Sequence, residues 1–158
     1  MARYLATVES PRPAVEVFDY VADFTTSAEW DPGTVSADRI GEGPIGLGAE
    51  FRLVVSFLGR TSRLTYRIVE YDRPRVVTLR GENTAVVSLD RITVEPWNGG
   101  SRLTYDATLT PKGAARLAGP LLALAFRRVG DRALTGLRAA LAPTAAGAAG
   151  SWPSSPPK

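Results

Sequence analysis

From Ala49 to Thr110 apolar and polar residues trade places at every second position, and the breaks between the runs are short and rich in turn formers. The alternation is clearest in Phe51, Leu53, Val55 and Phe57 against Glu50, Arg52, Val54 and Ser56. It recurs in Leu64, Tyr66 and Ile68 against Arg63, Thr65 and Arg67, and in Leu103, Tyr105, Ala107 and Leu109 against Arg102, Thr104, Asp106 and Thr108. A period of two puts one set of side chains on each face of a strand. Strands are expected over Tyr4–Glu9, Val35–Ile40, Ala49–Phe57, Thr61–Tyr71, Arg75–Arg80, Thr84–Val94 and Ser101–Thr110. Links such as Leu58-Gly59-Arg60, Gly81-Glu82-Asn83 and Trp97-Asn98-Gly99-Gly100 are too short for crossover helices and favour antiparallel hairpins. The pattern therefore demands an antiparallel sheet with one apolar face, and that face needs a cover.

The segment from about Gly113 to Ala142 supplies it. Leu122, Phe126, Val129, Ala133, Leu137 and Leu141 recur at helical steps, with Arg127, Asp131, Arg132, Thr135 and Arg138 on the other side. Gly119-Pro120 should bend or interrupt this helix near its start. Near the N-terminus, Pro13 suits the first position of a helix, and Val15, Phe18, Val21 and Ala22 give it an apolar side. Asp23 is placed to cap a second short helix running to Trp30, and Asp31-Pro32-Gly33 ends it. Residues 143–158, PTAAGAAGSWPSSPPK, have no periodicity and read as a disordered tail, leaving a domain over residues 1–142.

The residue inventory narrows the chemistry. The 158 residues include no cysteine and no histidine, which excludes disulfides, thiolate zinc sites, a Cys nucleophile and any His-based triad. No Asp/Glu cluster has the spacing of a hard-metal loop, so neither a metal nor a cofactor is expected. The net charge of +3 comes almost wholly from arginine, which supplies every cation except Lys112 and Lys158. These arginines are spread among the strands rather than gathered in a stripe, which argues against nucleic acid as a partner. The five arginines of the long helix against its one acid read as a solvated face. Its apolar stripe is committed to the sheet, so membrane docking is not expected. The longest apolar stretch, Ala118–Phe126, is far below the ~20 residues of a membrane span, and Met1–Val8 lacks the apolar run of an export signal. A cytoplasmic location is the expectation.

Several of these signals resemble one family in the same order along the chain. Ser10-Pro11-Arg12-Pro13-Ala14-Val15-Glu16-Val17-Phe18-Asp19-Tyr20-Val21-Ala22-Asp23 looks like the opening of the START/Bet v1-like (SRPBCC) superfamily, in its polyketide cyclase/dehydrase and lipid-transport branch. Glu29-Trp30-Asp31-Pro32 matches that branch's tryptophan before the first long strand. Gly46-Leu47-Gly48-Ala49 matches its hairpin, and Gly99-Gly100-Ser101-Arg102-Leu103-Thr104-Tyr105 its turn into the last strand. The resemblance covers residues 3 to about 142. It implies an α+β helix-grip fold: a curved seven-stranded antiparallel sheet wrapped around a long C-terminal helix, with two short helices after the first strand. It also implies an apolar cavity between sheet and helix, open to lipids, polyketides, sterols or quinones, and no universal catalytic set.

Gly41-Glu42-Gly43-Pro44-Ile45-Gly46 matches a dinucleotide-binding fingerprint letter for letter, but a strand follows it where the phosphate site needs a helix N-terminus. It reads as a hairpin. Among the carboxylates, Glu29 and Asp31 flank Trp30, Asp90 lies within a strand and Asp106 falls on the polar face; each reads as solvated or paired with arginine. Tyr66 and Tyr105 sit among inward apolar residues, and a buried phenol wants a partner for its hydroxyl. The partner is a ligand oxygen, a backbone carbonyl, or the other phenol. Trp30, Phe51, Phe57 and Phe126 either line a cavity or fill the core. The candidate ligand-binding set is Trp30, Phe51, Leu53, Val55, Phe57 and Leu64 with Tyr66, Tyr105, Leu122 and Phe126.

The function these features suggest is binding of a small hydrophobic molecule, as a carrier or sequestering protein. One alternative is an enzyme of the polyketide cyclase/aromatase type, folding its substrate and moving protons with tyrosine or carboxylate. Two titratable groups converging inside the cavity favour that enzyme; a purely apolar lining favours the carrier. A second alternative, a protein-interaction module, calls for a closed interior and a large exposed apolar patch. Oligomeric state is not legible in the sequence.

Overall fold

A computed structural model describes residues 1–143. Its strands are β1 (Ala2–Ser10), β2 (Thr34–Ile40), β3 (Glu50–Phe57), β4 (Arg60–Asp72), β5 (Val76–Glu82), β6 (Val86–Trp97) and β7 (Gly100–Pro111). Helix α1 spans Ala14–Ala22 and the short α2 spans Ser27–Trp30, joined by a 3-10 turn over Phe24–Thr26. A second 3-10 turn, Gly113–Ala118, leads into α3, Gly119–Ala140. The seven strands form one antiparallel sheet in the order β1-β7-β6-β5-β4-β3-β2. The stretch read as a disordered tail lies outside the described residues, apart from Pro143.

Every expected strand is present, with ends that agree to within three residues. The largest shift lengthens β6 to Trp97, through Pro96, because the β6–β7 hairpin closes on only Asn98 and Gly99. Both adopt positive φ (47° and 78°), the backbone of a tight turn matched to strand twist. Register slips at Thr34/Ser36 and at Ile68/Glu70 bend the sheet, as bulges do, and give it a concave face. In α1 the buried side is Val17, Phe18, Val21 and Ala22, so Val17 takes the inward place expected of Val15, which is exposed. Asp23 caps the 3-10 turn rather than α2 itself: its side chain accepts from the Thr25 amide, whereas α2 begins after Thr26 without a side-chain cap. The interruption expected at Gly119-Pro120 is where the 3-10 turn ends and α3 begins, with Pro120 in the first turn.

The concave face is solid at one end and hollow at the other. Toward the C-terminus of α3, Leu134, Leu137 and Leu141 pack with Phe18 and Val21 of α1 onto Val8, Ile92 and Leu103 of the sheet. The helix is anchored there, because Ser10 Oγ donates to the Leu141 carbonyl at 2.6 Å and the Arg12 guanidinium to the Ala142 carbonyl at 3.1 Å. These bonds satisfy carbonyls that a helix C-terminus leaves without partners. Toward the N-terminus of α3 only a small cluster of Ala2, Leu109 and Leu122 closes the far edge. Leu117, Leu121 and Leu124 point outward on that half, so the segment carries an exposed apolar stripe besides the one facing the sheet. No helix among the described residues is long and apolar enough to cross a membrane.

Candidate ligand cavity and its acid–phenol floor

Between the sheet and the N-terminal half of α3 lies a cavity of about 430 Å³. Leu122, Phe126, Val129, Gly130, Ala133 and Leu134 roof it from the helix. Val55 and Phe57 of β3 and Leu64 and Tyr66 of β4 form one wall; Ala107 and Leu109 of β7 form another. The volume falls in the range of small-molecule sites, and the surface is mostly apolar with a few polar groups, as such sites are.

Those polar groups converge on Asp90 of β6. Cross-strand register sets Tyr66 beside Gly81 and Gly81 beside Ser88, so the Tyr66 ring lies over a strand that has no side chain there. A Cβ on Gly81 would come within 2.5 Å of that ring. Two residues along β6, Asp90 takes a hydrogen bond from Ser88 Oγ at 2.9 Å and another from the Tyr105 hydroxyl at 2.9 Å, one on each carboxylate oxygen. The residue paired with Asp90 on β7 is the small Ala107, which leaves room for the Tyr105 ring to lean across. Trp30 packs edge-on against Tyr105, with ring centroids 6.0 Å apart, and donates its indole N–H to Thr26 Oγ1 at 3.3 Å.

Burial governs the electrostatics. Asp90 is only 6% exposed. Loss of water pushes its pKa up to about 6, against the opposing pull of the Ser88 and Tyr105 hydrogen bonds, with a further upward push from the Asp31 charge. The Tyr66 and Tyr105 phenols are held well above their ordinary range, first by burial and then by the Asp90 charge. Asp31 also lines the cavity and is itself raised by burial, although it accepts from the Gly33 amide (2.8 Å) and the Thr34 hydroxyl (2.9 Å). Among the described residues, no group of three or more acids is arranged to hold a metal ion.

Of the residues singled out in the sequence, Trp30, Val55, Phe57, Leu64, Tyr66 and Tyr105 border the cavity, as do Leu122 and Phe126. Phe51 and Leu53 do not; this corrects their placement. Both are inward, as expected, but they lie at the filled end of the face, where Phe24 packs edge-on against Phe51 with centroids 6.3 Å apart. Asp90 is the second correction, being neither solvated nor paired with arginine. Its parity is readable: Ser88, Asp90, Ile92 and Val94 alternate with Leu89, Arg91 and Thr93, so Asp90 shares the inward face of two core residues. Asp31 is a third correction, largely withdrawn from solvent and held by Gly33 and Thr34 rather than by an arginine. Of the others, Asp106 pairs with Arg3 at 2.9 Å and Glu29 accepts from the Tyr20 hydroxyl at 2.7 Å. Gly41–Gly46 is a loop that leads to a strand, so no phosphate site forms there.

The glycine beneath Tyr66 yields a direct test. Gly81→Ala should force the Tyr66 ring off its seat and lower stability by about 1–3 kcal/mol, the usual cost of overpacking. Thermal unfolding measures it; a melting temperature equal to the parent's would contradict the described seating.

A family model described as polyketide cyclase/dehydrase and lipid transport matches residues 1–142. An uncharacterized protein of Mycobacterium tuberculosis is 29% identical over 135 residues, covering 82% of this chain and 89% of that protein. Among solved structures, the Zhui aromatase/cyclase of a Streptomyces species superposes with a TM-score of 0.75 at 19% identity, over 88% of this chain and 92% of that one. A START superfamily protein from Mycobacterium smegmatis does so with a TM-score of 0.75 at 15% identity, over 89% and 97%. At these identities the structural likeness establishes a shared fold.

Proposed function

The chain belongs to the polyketide cyclase/dehydrase and lipid transport family, and from that premise we propose that it binds a small, mostly apolar molecule between the sheet and α3. The observation that carries this is the hollow itself. A fold able to pack Leu137 and Leu141 without a gap at one end leaves about 430 Å³ at the other, walled by leucine, valine and aromatic side chains. Burial of apolar ligand surface at ~25 cal/mol per Å² supplies the drive. The polar floor fixes which end of the ligand points inward. An interaction module would call for a closed interior, and this one is hollow.

The convergence of Asp90 with Tyr105 and Tyr66 favours a second reading, an acid–base enzyme of the cyclase type, over a passive carrier. On that reading ionised Asp90 takes a proton from the carbon next to a ligand carbonyl, and the charge passes to the carbonyl oxygen as an enolate. The Tyr66 hydroxyl donates to that oxygen. Binding is common to both readings, so it is tested first. Native mass spectrometry of freshly purified protein should show a retained small molecule, which extraction then identifies. Protein that is always empty and ignores a broad panel of lipids and polyketides would overturn the proposal.

A further inference from the structure

We propose that the floor of the cavity selects an uncharged hydroxyl or phenol group on its ligand and turns carboxylates away. This rests on the ligand-binding reading above and follows from where each polar group on the lining spends its hydrogen bonds. The Tyr4 hydroxyl donates to Asp131 at 2.8 Å, and the Trp30 N–H is held by Thr26. Asn83 is consumed by its own turn, donating to the Arg63 carbonyl and accepting from the Ala85 and Val86 amides. Asp31 takes one donor on each oxygen, from Gly33 and Thr34, which ties it to its turn and leaves it, like Asp90, with acceptor capacity but no donor.

What remains at the floor is acceptor capacity on Asp90 beside one phenol, Tyr66, so a ligand O–H can donate to the first and accept from the second. A carboxylate offers about four lone-pair sites, and Ser88 and Tyr105 fill one on each oxygen of Asp90. The free sites are satisfied by a ligand O–H. A ligand carboxylate brings acceptors only, and places its charge near Asp90 and Asp31. Among the described lining residues the sole cation is Arg60, at the β3–β4 hairpin. Six residues of extended strand, roughly 20 Å, separate its backbone from that of Tyr66. The positive charge therefore stands at the opposite end of the wall from Tyr66 and the neighbouring Asp90, while the Asp31 turn, bonded to Ser56 of β3, lies nearer to it.

Calorimetric titration at pH 8 with three compounds of matched shape tests the assignment: 4-hexylphenol, its methyl ether 4-hexylanisole, and 4-hexylbenzoate. The phenol should bind at least about tenfold more tightly than either of the others, the scale of one hydrogen bond to a charged acceptor. Asp90→Asn should shrink both gaps to about threefold or less. Equal binding of phenol and anisole overturns donor recognition, and equal or tighter binding of benzoate overturns charge exclusion. Gaps that persist undiminished in the Asp90→Asn variant would overturn the assignment of selectivity to Asp90. If none of the three binds although the purified protein retains a small molecule, the selection of a hydroxyl or phenol is overturned while the cavity-binding reading stands.

Discussion

Replacing Asp90 with asparagine is expected to stabilise the protein at pH 8 by about 3 kcal/mol and by roughly 0.5 kcal/mol at pH 4. In the unfolded chain this carboxyl titrates near its ordinary value of 3.8, whereas in the fold burial holds the proton up to about pH 6. As pH rises from about 4, the unfolded state ionises first, so the native state loses stability until about pH 6 and stays penalised above it. Well below pH 4, by about pH 3, both states are protonated and the penalty vanishes. Asparagine keeps one oxygen to accept from Ser88, and its amide can donate to Tyr105 if that hydroxyl turns, so the pairing survives without the charge. For a chain of this length the gain corresponds to roughly 9 °C in melting temperature at pH 8. Thermal unfolding of both proteins at pH 4, 6 and 8 measures the difference. An Asp90→Asn variant no more stable than the parent at pH 8 would contradict an uncompensated buried charge. The exposed pairs Arg3–Asp106 and Arg73–Asp19 lower their carboxyl pKa values and act in the opposite direction, losing their contribution as pH falls. They are present in both proteins and cancel in the comparison. A buried acid that costs stability is what a site retained for its chemistry would show.

The second large effect is expected at Gly136, where α3 crosses α2. A Cβ at this position would lie 1.9 Å from the Trp30 carbonyl oxygen and 2.9 Å from its carbon, both backbone atoms that no rotamer change can move. Alanine in a helix interior ordinarily gains roughly 0.5–1 kcal/mol over glycine, but here α2 must shift to admit the methyl group. Gly136→Ala is therefore expected to destabilise by about 2–3 kcal/mol net. It should also move Trp30, which packs against Tyr105 at the edge of the cavity floor. Gly119→Ala in the first turn of the same helix meets no atom within 4 Å and serves as the control, with a change of about 0.5 kcal/mol or less. Urea unfolding separates the two variants; a Gly136 variant as stable as the Gly119 one would mean that the helices do not approach this closely.

Much of this architecture is legible in the sequence because its cause is local. Period-two alternation puts Leu53, Tyr66 and Tyr105 on the buried face and Asp106 on the polar one, and the structure agrees on each. The same rule, carried through β6, places Asp90 inside. An acid between Leu89 and Arg91 reads instead as surface, because residue type and parity conflict there and residue type is the stronger local cue. Glycine at position 81 carries no sign that a phenol from the neighbouring strand lies over it; that depends on register across three strands.

What the sequence determined by itself is therefore a sheet with one apolar face, a helix to cover it and the inward parity of each strand. These follow from backbone geometry that repeats every two or 3.6 residues. Only the tertiary structure decided which part of that face is filled. Phe18 and Phe24 from the N-terminal segment and Leu137 from the C-terminal helix fill the face around Phe51 and Ile92, whereas Tyr66 and Tyr105 are each covered on one side only, by Phe24 and Trp30, and border the hollow with Asp90. Whether an inward side chain becomes core or cavity wall depends on the volume brought against it by the rest of the chain, and no local pattern carries that quantity.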